Sequence, residues 1–189
     1  MRALVFLCMW AVMGPPALAA DGSGEARRLT EQLQGFIDRG AYPAAARTYR
    51  ALEALDGVEL TSSDLFMGAE AARATGNMLV CRERLLVAFK MALEQQASLD
   101  ERARAWLAEL QNEYGHITVS SKGVGVLTPA MQPFQADRRA AITFASEQIA
   151  AEGRFSGLVP AGEYTWGKST FTVEKGTEPV KVKVKGPRK

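Results

Sequence analysis

The sequence predicts an α+β protein in which about five helices, arranged as hairpins, precede a small antiparallel β-sandwich. From about residue 24 to residue 114, apolar side chains recur at the three-to-four-residue spacing of amphipathic helices. After Gly115 the apolar residues alternate with polar ones, as in half-buried strands, and turn residues separate the runs. We therefore expect a leader over residues 1–19, a helical domain over residues 20–114 and a β-domain over residues 115–189.

The leader has the composition of a secretory signal peptide. Arg2 supplies positive charge, residues 3–13 form an unbroken apolar run, and the Ala-Leu-Ala of residues 17–19 suits a cleavage site. The apolar run is far shorter than the roughly 20 residues of a membrane-spanning helix. A bulky leucine before Cys8 argues against lipid attachment there. We expect an exported bacterial protein of the periplasm or cell envelope, or a secreted one, with no transmembrane helix in the mature chain.

Charge and cysteine content limit the partners and the bonds available to the chain. With 23 Lys and Arg against 21 Asp and Glu, the net charge is +2, so no overall positive field attracts nucleic acid. Removal of the leader leaves Cys81 as the single cysteine, which excludes an intramolecular disulfide. The 47% of apolar residues can supply a packed core instead.

Two apolar stripes predict the first helical hairpin. Gly40 is expected to end the first helix, and Pro43 lies where proline starts the second. The stripes consist of Leu29, Leu33, Phe36 and Ile37 in the first helix and of Tyr42, Ala45, Ala46, Tyr49 and Leu52 in the second.

Three further helices follow in the same half. The Thr-Ser-Ser-Asp of residues 61–64 offers N-caps for the third helix, and Gly76 precedes the fourth. Ser98 and Glu101 form a capping box for the fifth helix, and Gly115 is expected to end it. Their apolar positions are Leu65, Ala69 and Ala72; Met78, Cys81, Leu85 and Ala88; and Leu99, Ala103, Trp106, Leu107 and Leu110.

An internal repeat with an offset of 36 residues runs through these helices. The pattern Gly40-x-Tyr42-x-x-Ala45-x-x-x-Tyr49 recurs as Gly76-x-Met78-x-x-Cys81-x-x-x-Leu85. Such a period with a helix–turn–helix unit is typical of stacked hairpins. On these positions the region resembles the tetratricopeptide repeat, which implies a concave surface that holds a peptide or a partner protein. An unrelated helical bundle is the alternative.

The β half contains short runs of alternating apolar residues. They are Ile117 and Val119; Val124 and Val126; Tyr164 and Trp166; Phe171 and Val173; and Val180, Val182 and Val184. Residues 158–165 (LVPAGEYT), 171–174 (FTVE) and 115–119 (GHITV), with the closing Val-Lys alternation, resemble the PEGA domain. This resemblance implies a small β-sandwich-like envelope module without a catalytic residue. A generic immunoglobulin-like sandwich is the alternative.

Residues 136–152 are ambiguous between strand and helix. Residues 140–145 suit a strand, whereas Ile142, Ala145 and Ile149 also fit a helix that ends at Gly153. We favour the strand here.

One segment matches the residue pattern of a nucleotide-binding motif but lacks the structural context that the motif needs. Residues 162–169 (GEYTWGKS) match the phosphate-binding loop, whose mechanism requires a helix directly after it. Here Ser169 leads into the alternating Thr-Phe-Thr-Val of a strand. A hairpin turn at Gly167 and Lys168 explains the pattern better.

Few residues are suited to catalysis or metal binding. His116, the only histidine, follows Gly115 at the start of a strand, and we expect it at the surface or at the domain boundary. Cys81 lies on an apolar helix face, which predicts a buried packing thiol. Metal sites need several His or Cys ligands, and no spacing singles out a catalytic carboxylate pair. We expect no enzyme activity, no cofactor and no metal.

Five residues of the β half are the weak candidates for partner binding: Tyr164, Trp166, Lys181, Lys183 and Lys185. The two aromatic residues share one strand face and are either core residues or a sugar-stacking platform. The lysines either protect a strand edge from unwanted pairing or dock on an anionic surface. Core and edge protection are the favoured interpretations.

Together these features predict a non-enzymatic adaptor of the cell envelope that binds a protein partner through the helices. Self-association is a further option for the short helical unit, because two repeats are near the minimum for a stable stack. The alternative function is binding of peptidoglycan or another anionic glycan by the β-domain.

Overall fold

The computed structural model describes residues 22–95, 101–122 and 125–185. Its helices are α1 (Gly22–Asp38), α2 (Tyr42–Glu53), α3 (Ser62–Ala74), α4 (Met78–Glu94), α5 (Glu101–Glu113) and α6 (Ala136–Glu152). Its strands are β1 (Tyr114–Lys122), β2 (Leu127–Pro129), β3 (Arg154–Pro160), β4 (Gly162–Trp166), β5 (Ser169–Val173) and β6 (Gly176–Lys185). The predicted α+β class, with helices followed by a small β region, is confirmed.

Some predictions concern residues outside this described part. They are the leader over residues 1–19 with Cys8, the cap residue Ser98 with Leu99, and the strand residue Val124.

Helices α1 to α4 form two consecutive hairpins at the predicted positions. Gly40 and Gly76 adopt positive φ angles of 66° and 86°, which glycine tolerates without a steric penalty. Thr61 caps α3: its side chain accepts from the Asp64 N–H at 3.1 Å, and the Asp64 carboxylate accepts from the Thr61 N–H at 2.9 Å. The capping residue therefore lies inside the polar run that the sequence indicated.

The hairpins pack through small residues. A Cβ atom on Gly68 of α3 would overlap the ring of Tyr49 from α2, so only glycine lets these helices approach so closely. The predicted stripes are buried here: Leu29, Leu33, Ala45, Tyr49 and Leu52 share one core cluster with residues of α3. Contacts of α3 with both α1 and α2 then place the second hairpin against the first.

The strands form two three-stranded sheets. The first has the order β3-β1-β6 and the second β2-β4-β5. The antiparallel prediction is correct for the second sheet and for the pair β1–β3, but β6 runs parallel to β1. The chain crosses from the second sheet to the first between β5 and β6, and this crossing lets β6 run in the direction of β1.

Residues 136–152 form helix α6, so the favoured strand interpretation was wrong. The segment is much longer than an ordinary strand, and its many alanines favour a helix. Its buried residues Ala141, Ile142, Ala145 and Ile149 follow helical spacing, and Gly153 ends it with a φ of 70°. Together with residues from both sheets, α6 builds one core that includes Ile117, Phe155 and Trp166.

Gly115 has a different role from the predicted one. Helix α5 ends at Glu113, and Gly115 is already the second residue of β1. A Cβ atom there would overlap the carbonyl oxygen of Glu174, so the glycine allows two backbones to approach.

A further core cluster crosses from the helices to the sheets. It joins Met78 and Leu110 of the helical half to Tyr114 of β1, Ala141 of α6 and Leu158 of β3. The expected domain boundary between residues 114 and 115 stays a prediction. None of the helices in the described part has the length and apolar character required to cross a bilayer.

Candidate functional site

Helices α1, α3 and α5 line an open cleft of about 400 Å³, which we call the inner helical cleft. The lining residues are Gln34, Ile37, Asp38, Ser63, Phe66, Met67, Glu70 and Arg102. Helices α1 and α3 are the first helices of the two hairpins, and α5 follows the second hairpin. The cleft is therefore built from equivalent positions of successive units.

Aromatic stacking sets the spacing of the cleft walls. The rings of Phe66 on α3 and Trp106 on α5 stack with centroids 5.3 Å apart, and the Arg102 guanidinium lies 5.1 Å from the Phe66 ring centroid. On the other side, the Thr30 hydroxyl of α1 donates to the buried Asp64 carboxylate of α3 at 3.1 Å. These contacts hold all three helices in place without filling the cleft.

The cleft combines two carboxylates and the Arg102 guanidinium with a smaller apolar surface. Asp38 is exposed and accepts a hydrogen bond from Gln34 at 2.7 Å, and Glu70 is half-buried. Ile37 and Phe66 are half-buried beside them. This combination suits a peptide that offers one apolar side chain and a neighbouring basic side chain.

An ionic network connects the helical half to α6. The Arg73 guanidinium donates to Glu109 of α5 at 2.7 Å and also to Asp137 of α6, and Arg138 pairs with Glu109 and with Glu113. Burial works against the charge of Arg73, but its hydrogen bond to Glu109 and the Asp137 charge raise its pKa above the ordinary value. The network fixes the orientation of α6 against α3 and α5.

Tyr114 is buried next to this network. Its hydroxyl has no hydrogen-bond partner in the described part of the chain. Burial, assisted by the nearby Asp137 and Glu109 charges, raises its pKa well above the ordinary value. Tyr114 is therefore a neutral core side chain at the junction.

The two aromatic binding candidates lie in the core. Tyr164 is 2% and Trp166 is 0% exposed, and the Tyr164 hydroxyl donates to the Pro160 carbonyl at 2.7 Å. Burial raises the pKa of Tyr164 well above its ordinary value. Neither ring offers a face on which a sugar could stack, so the core interpretation of these residues is correct.

The lysine candidates lie apart from these rings. Lys181 and Lys183 are exposed on β6 in the first sheet, whereas the rings belong to β4 in the second sheet. Lys185 ends β6, and its side chain is outside the described residues. The structure therefore does not bring the five candidates together into one site.

The remaining candidates have structural surroundings. His116 contacts the Thr177 carbonyl through Nδ1 at 3.1 Å and the Ser156 hydroxyl through Nε2 at 3.3 Å. Cys81 is buried, and burial raises its pKa to about 12, so it stays a thiol at neutral pH. Gly167 and Lys168 form the predicted hairpin turn, since Trp166 pairs with Ser169.

Metal ligands do not cluster in the part of the chain that the structure describes. No group of three or more His, Cys, Asp or Glu residues there could hold a metal ion. No family model, curated protein or solved structure matches the chain.

Most residues of the inner helical cleft were missed at the level of sequence, although Ile37 belonged to a predicted stripe. Phe66 and Glu70 lie outside the apolar stripe Leu65, Ala69 and Ala72, so the pattern did not single them out. A large aromatic residue beside a core stripe was the available signal. The loop before α6 was missed as well: Met131 is 83% and Phe134 is 93% exposed next to a cleft of about 370 Å³.

Proposed function

We propose that the protein is a non-enzymatic, exported adaptor of a bacterial cell envelope that binds a protein partner in the inner helical cleft. The observation that supports this is the contribution of α1, α3 and α5 to one open cleft. Stacked helical hairpins use such surfaces to hold extended segments of other proteins. The 36-residue repeat and the tetratricopeptide-like positions Gly40, Tyr42 and Ala45 favour the same interpretation.

The chemistry of the cleft indicates the kind of partner segment. Asp38 and Glu70 provide negative charge, and Ile37 and Phe66 provide apolar contact. A segment with a basic residue next to an apolar anchor would satisfy both.

The experiment is affinity capture from an envelope extract with matched variants. The cleft variant is Asp38→Lys with Glu70→Lys. The control, Asp56→Lys with Glu59→Lys, makes the same charge change at two exposed positions outside the cleft. We expect the unchanged chain and the control variant to capture the same protein partner in similar amounts. The cleft variant is expected to capture at least about tenfold less of that partner.

Two results would contradict the proposal. One is capture of no protein by the unchanged chain at low ionic strength. The other is a partner that both double variants retain equally, because binding would then not involve the cleft. N-terminal sequencing of the exported chain tests the location independently, with residue 20 as the expected first residue.

The glycan-binding alternative has weaker support. It used Tyr164 and Trp166 as stacking surfaces, and both rings are buried. It would now depend on the lysines of β6, of which the structure describes the side chains of Lys181 and Lys183. Co-sedimentation with purified sacculi tests it, with loss of binding expected on changing both lysines to glutamate.

A further inference from the structure

A second groove runs across the junction between the helices and the sheets. One cleft of about 440 Å³ is lined by α2, α3, α4 and α6, and another of about 480 Å³ by α4, α6, β1 and β3. Asn77, Val80 and Phe144 line both clefts, so the two adjoin each other. We call the combined feature the junction groove; it lies away from the inner helical cleft and shares no lining residue with it.

The middle of the junction groove is largely apolar and closely packed. Phe144 is half-buried and packs edge-on against Phe155, with ring centroids 6.3 Å apart and planes at 77°. A Cβ atom on Gly76 would lie only 2.9 Å from the Cβ of Phe144, so the α3–α4 turn supports this residue directly. Half-buried Leu79 and Val80 extend the apolar surface along α4.

The helical end of the groove carries uncompensated positive charge. Arg84 is already engaged, because it contacts Glu53 at 3.4 Å and the Gly68 carbonyl at 2.9 Å. Arg47 and Arg50 also line this end and are exposed, and neither pairs with a carboxylate in the described part of the chain. Arg50 donates through Nε to the Ala46 carbonyl at 3.3 Å, which leaves its two terminal nitrogens, together with the Arg47 guanidinium, available to an anionic ligand.

The sheet end of the groove is lined by Arg154 and Glu152, and exposed lysines of the neighbouring strand β6 add positive charge beside it. The Arg154 side chain is 80% exposed, and its Nε lies 3.8 Å from a carboxylate oxygen of the exposed Glu152. An exposed ion pair at this distance contributes little to stability. Thr118 lines the groove and pairs in register with Lys181 of β6. Lys181 and Lys183 are exposed and form no ion pair with a described carboxylate.

We propose that the junction groove binds an extended acidic segment of a partner protein. An apolar side chain of that segment contacts Phe144, and its carboxylates contact Arg47 and Arg50 at one end and Arg154 and Lys181 at the other. A polypeptide fits better than a glycan, since a polyanionic sugar chain would leave the apolar middle without a partner. The proposal uses a different surface from the inner helical cleft and does not depend on it.

The test uses the purified full protein and a fluorescein-labelled peptide with four glutamates on each side of a Leu-Phe pair. Anisotropy titration at low salt is expected to show saturable binding that weakens as salt rises. The variant Arg47→Glu with Arg50→Glu should bind at least about tenfold more weakly. The control Arg27→Glu with Arg104→Glu makes the same charge change on exposed positions of α1 and α5 and should stay within about twofold.

A second peptide tests the apolar contact. Replacement of its Leu-Phe pair by Ser-Ser should weaken binding at least about tenfold, because the apolar side chain that contacts Phe144 is lost. Equal binding of both peptides, or equal binding by both double variants, would overturn the proposal. So would binding of polygalacturonate, an anionic glycan, by a protein that does not bind the acidic peptide.

Discussion

Gly76 lies directly against Ala140: a Cβ atom on Gly76 would overlap the carbonyl oxygen of Ala140. This contact joins the turn between α3 and α4 to helix α6. The repeat glycine therefore has two functions, since it also adopts a φ of 86° that other residues rarely adopt. At this point the helical hairpins and helix α6 are packed backbone to backbone.

Gly76→Ala is expected to destabilise the protein by at least about 3 kcal/mol, from backbone strain and from displacement of α6. Gly57→Ala is the matched control. Gly57 has a similar φ of 73°, but nothing lies within 4 Å of its added Cβ, so only about 1 kcal/mol is expected. Urea unfolding of both variants measures the difference, and equal losses would show that the Ala140 contact has no effect.

Arg73→Ala is expected to lower the free energy of unfolding by about 2–4 kcal/mol. The change leaves Glu109 and Asp137, each with a side chain only 22% exposed, without their shared guanidinium. Arg27→Ala removes a pair that is 82% and 67% exposed and should cost less than about 1 kcal/mol. Chemical unfolding compares the two, and a similar loss for both would contradict the junction role of the network.

Stability is expected to fall in alkaline solution. Burial raises the pKa of Cys81 from 9.0 to about 12 and that of Tyr49 from 10.0 to about 12. Between these values the native state keeps protons that the unfolded chain releases. The stabilisation from these groups is therefore fully present below about pH 9 and is lost as the pH rises towards 12. Tyr114 and Tyr164 shift in the same direction.

Urea midpoints between pH 8 and pH 11, with tyrosinate absorbance followed in parallel, measure this alkaline effect. The three buried tyrosines should ionise together with unfolding. Constant midpoints over this range would contradict the prediction. Cys81 should react with a thiol reagent only after denaturant is added.

Trp166→Ala is expected to destabilise the protein by about 3–5 kcal/mol, because the ring is fully buried in the core between the sheets. Lys181→Ala with Lys183→Ala should change stability by less than about 0.5 kcal/mol, since both side chains are exposed. Thermal unfolding distinguishes the two classes of residue. A tolerated Trp166→Ala would indicate that its ring is not a packing element.

Met131→Ser with Phe134→Ser is expected to leave stability within about 0.5 kcal/mol, because these side chains are 83% and 93% exposed. Thermal unfolding measures the stability of this variant. The comparison is Leu127→Ser, which changes a buried residue of the nearby strand β2 and is expected to be destabilised. A clear loss of stability in the loop variant would contradict the exposure of these two side chains.

Several local features were predictable because they depend on residues close in the chain. Thr61 and Asp64 lie three residues apart, and Gly167 with Lys168 forms a two-residue turn between alternating runs. The buried stripe of α4, including Cys81, needed only the helical period. In α6 local reasoning failed, since Ile142, Ala145 and Ile149 fit a helix while the shorter run of residues 140–145 also fit a strand.

The amino-acid order alone predicted the class of the fold, because the features that define it depend on residues close in the chain. These features are the helix caps, the turns, and the change in the spacing of apolar residues from period 3.6 to period two. The junction groove and the inner helical cleft depend on contacts between residues far apart in the chain. Phe144 reaches Val80 because Gly76 admits α6, and Phe66 meets Arg102 because α5 folds back on α3. Only the tertiary structure could place these side chains together, and it decided between the core and the sugar-stacking interpretations of Tyr164 and Trp166.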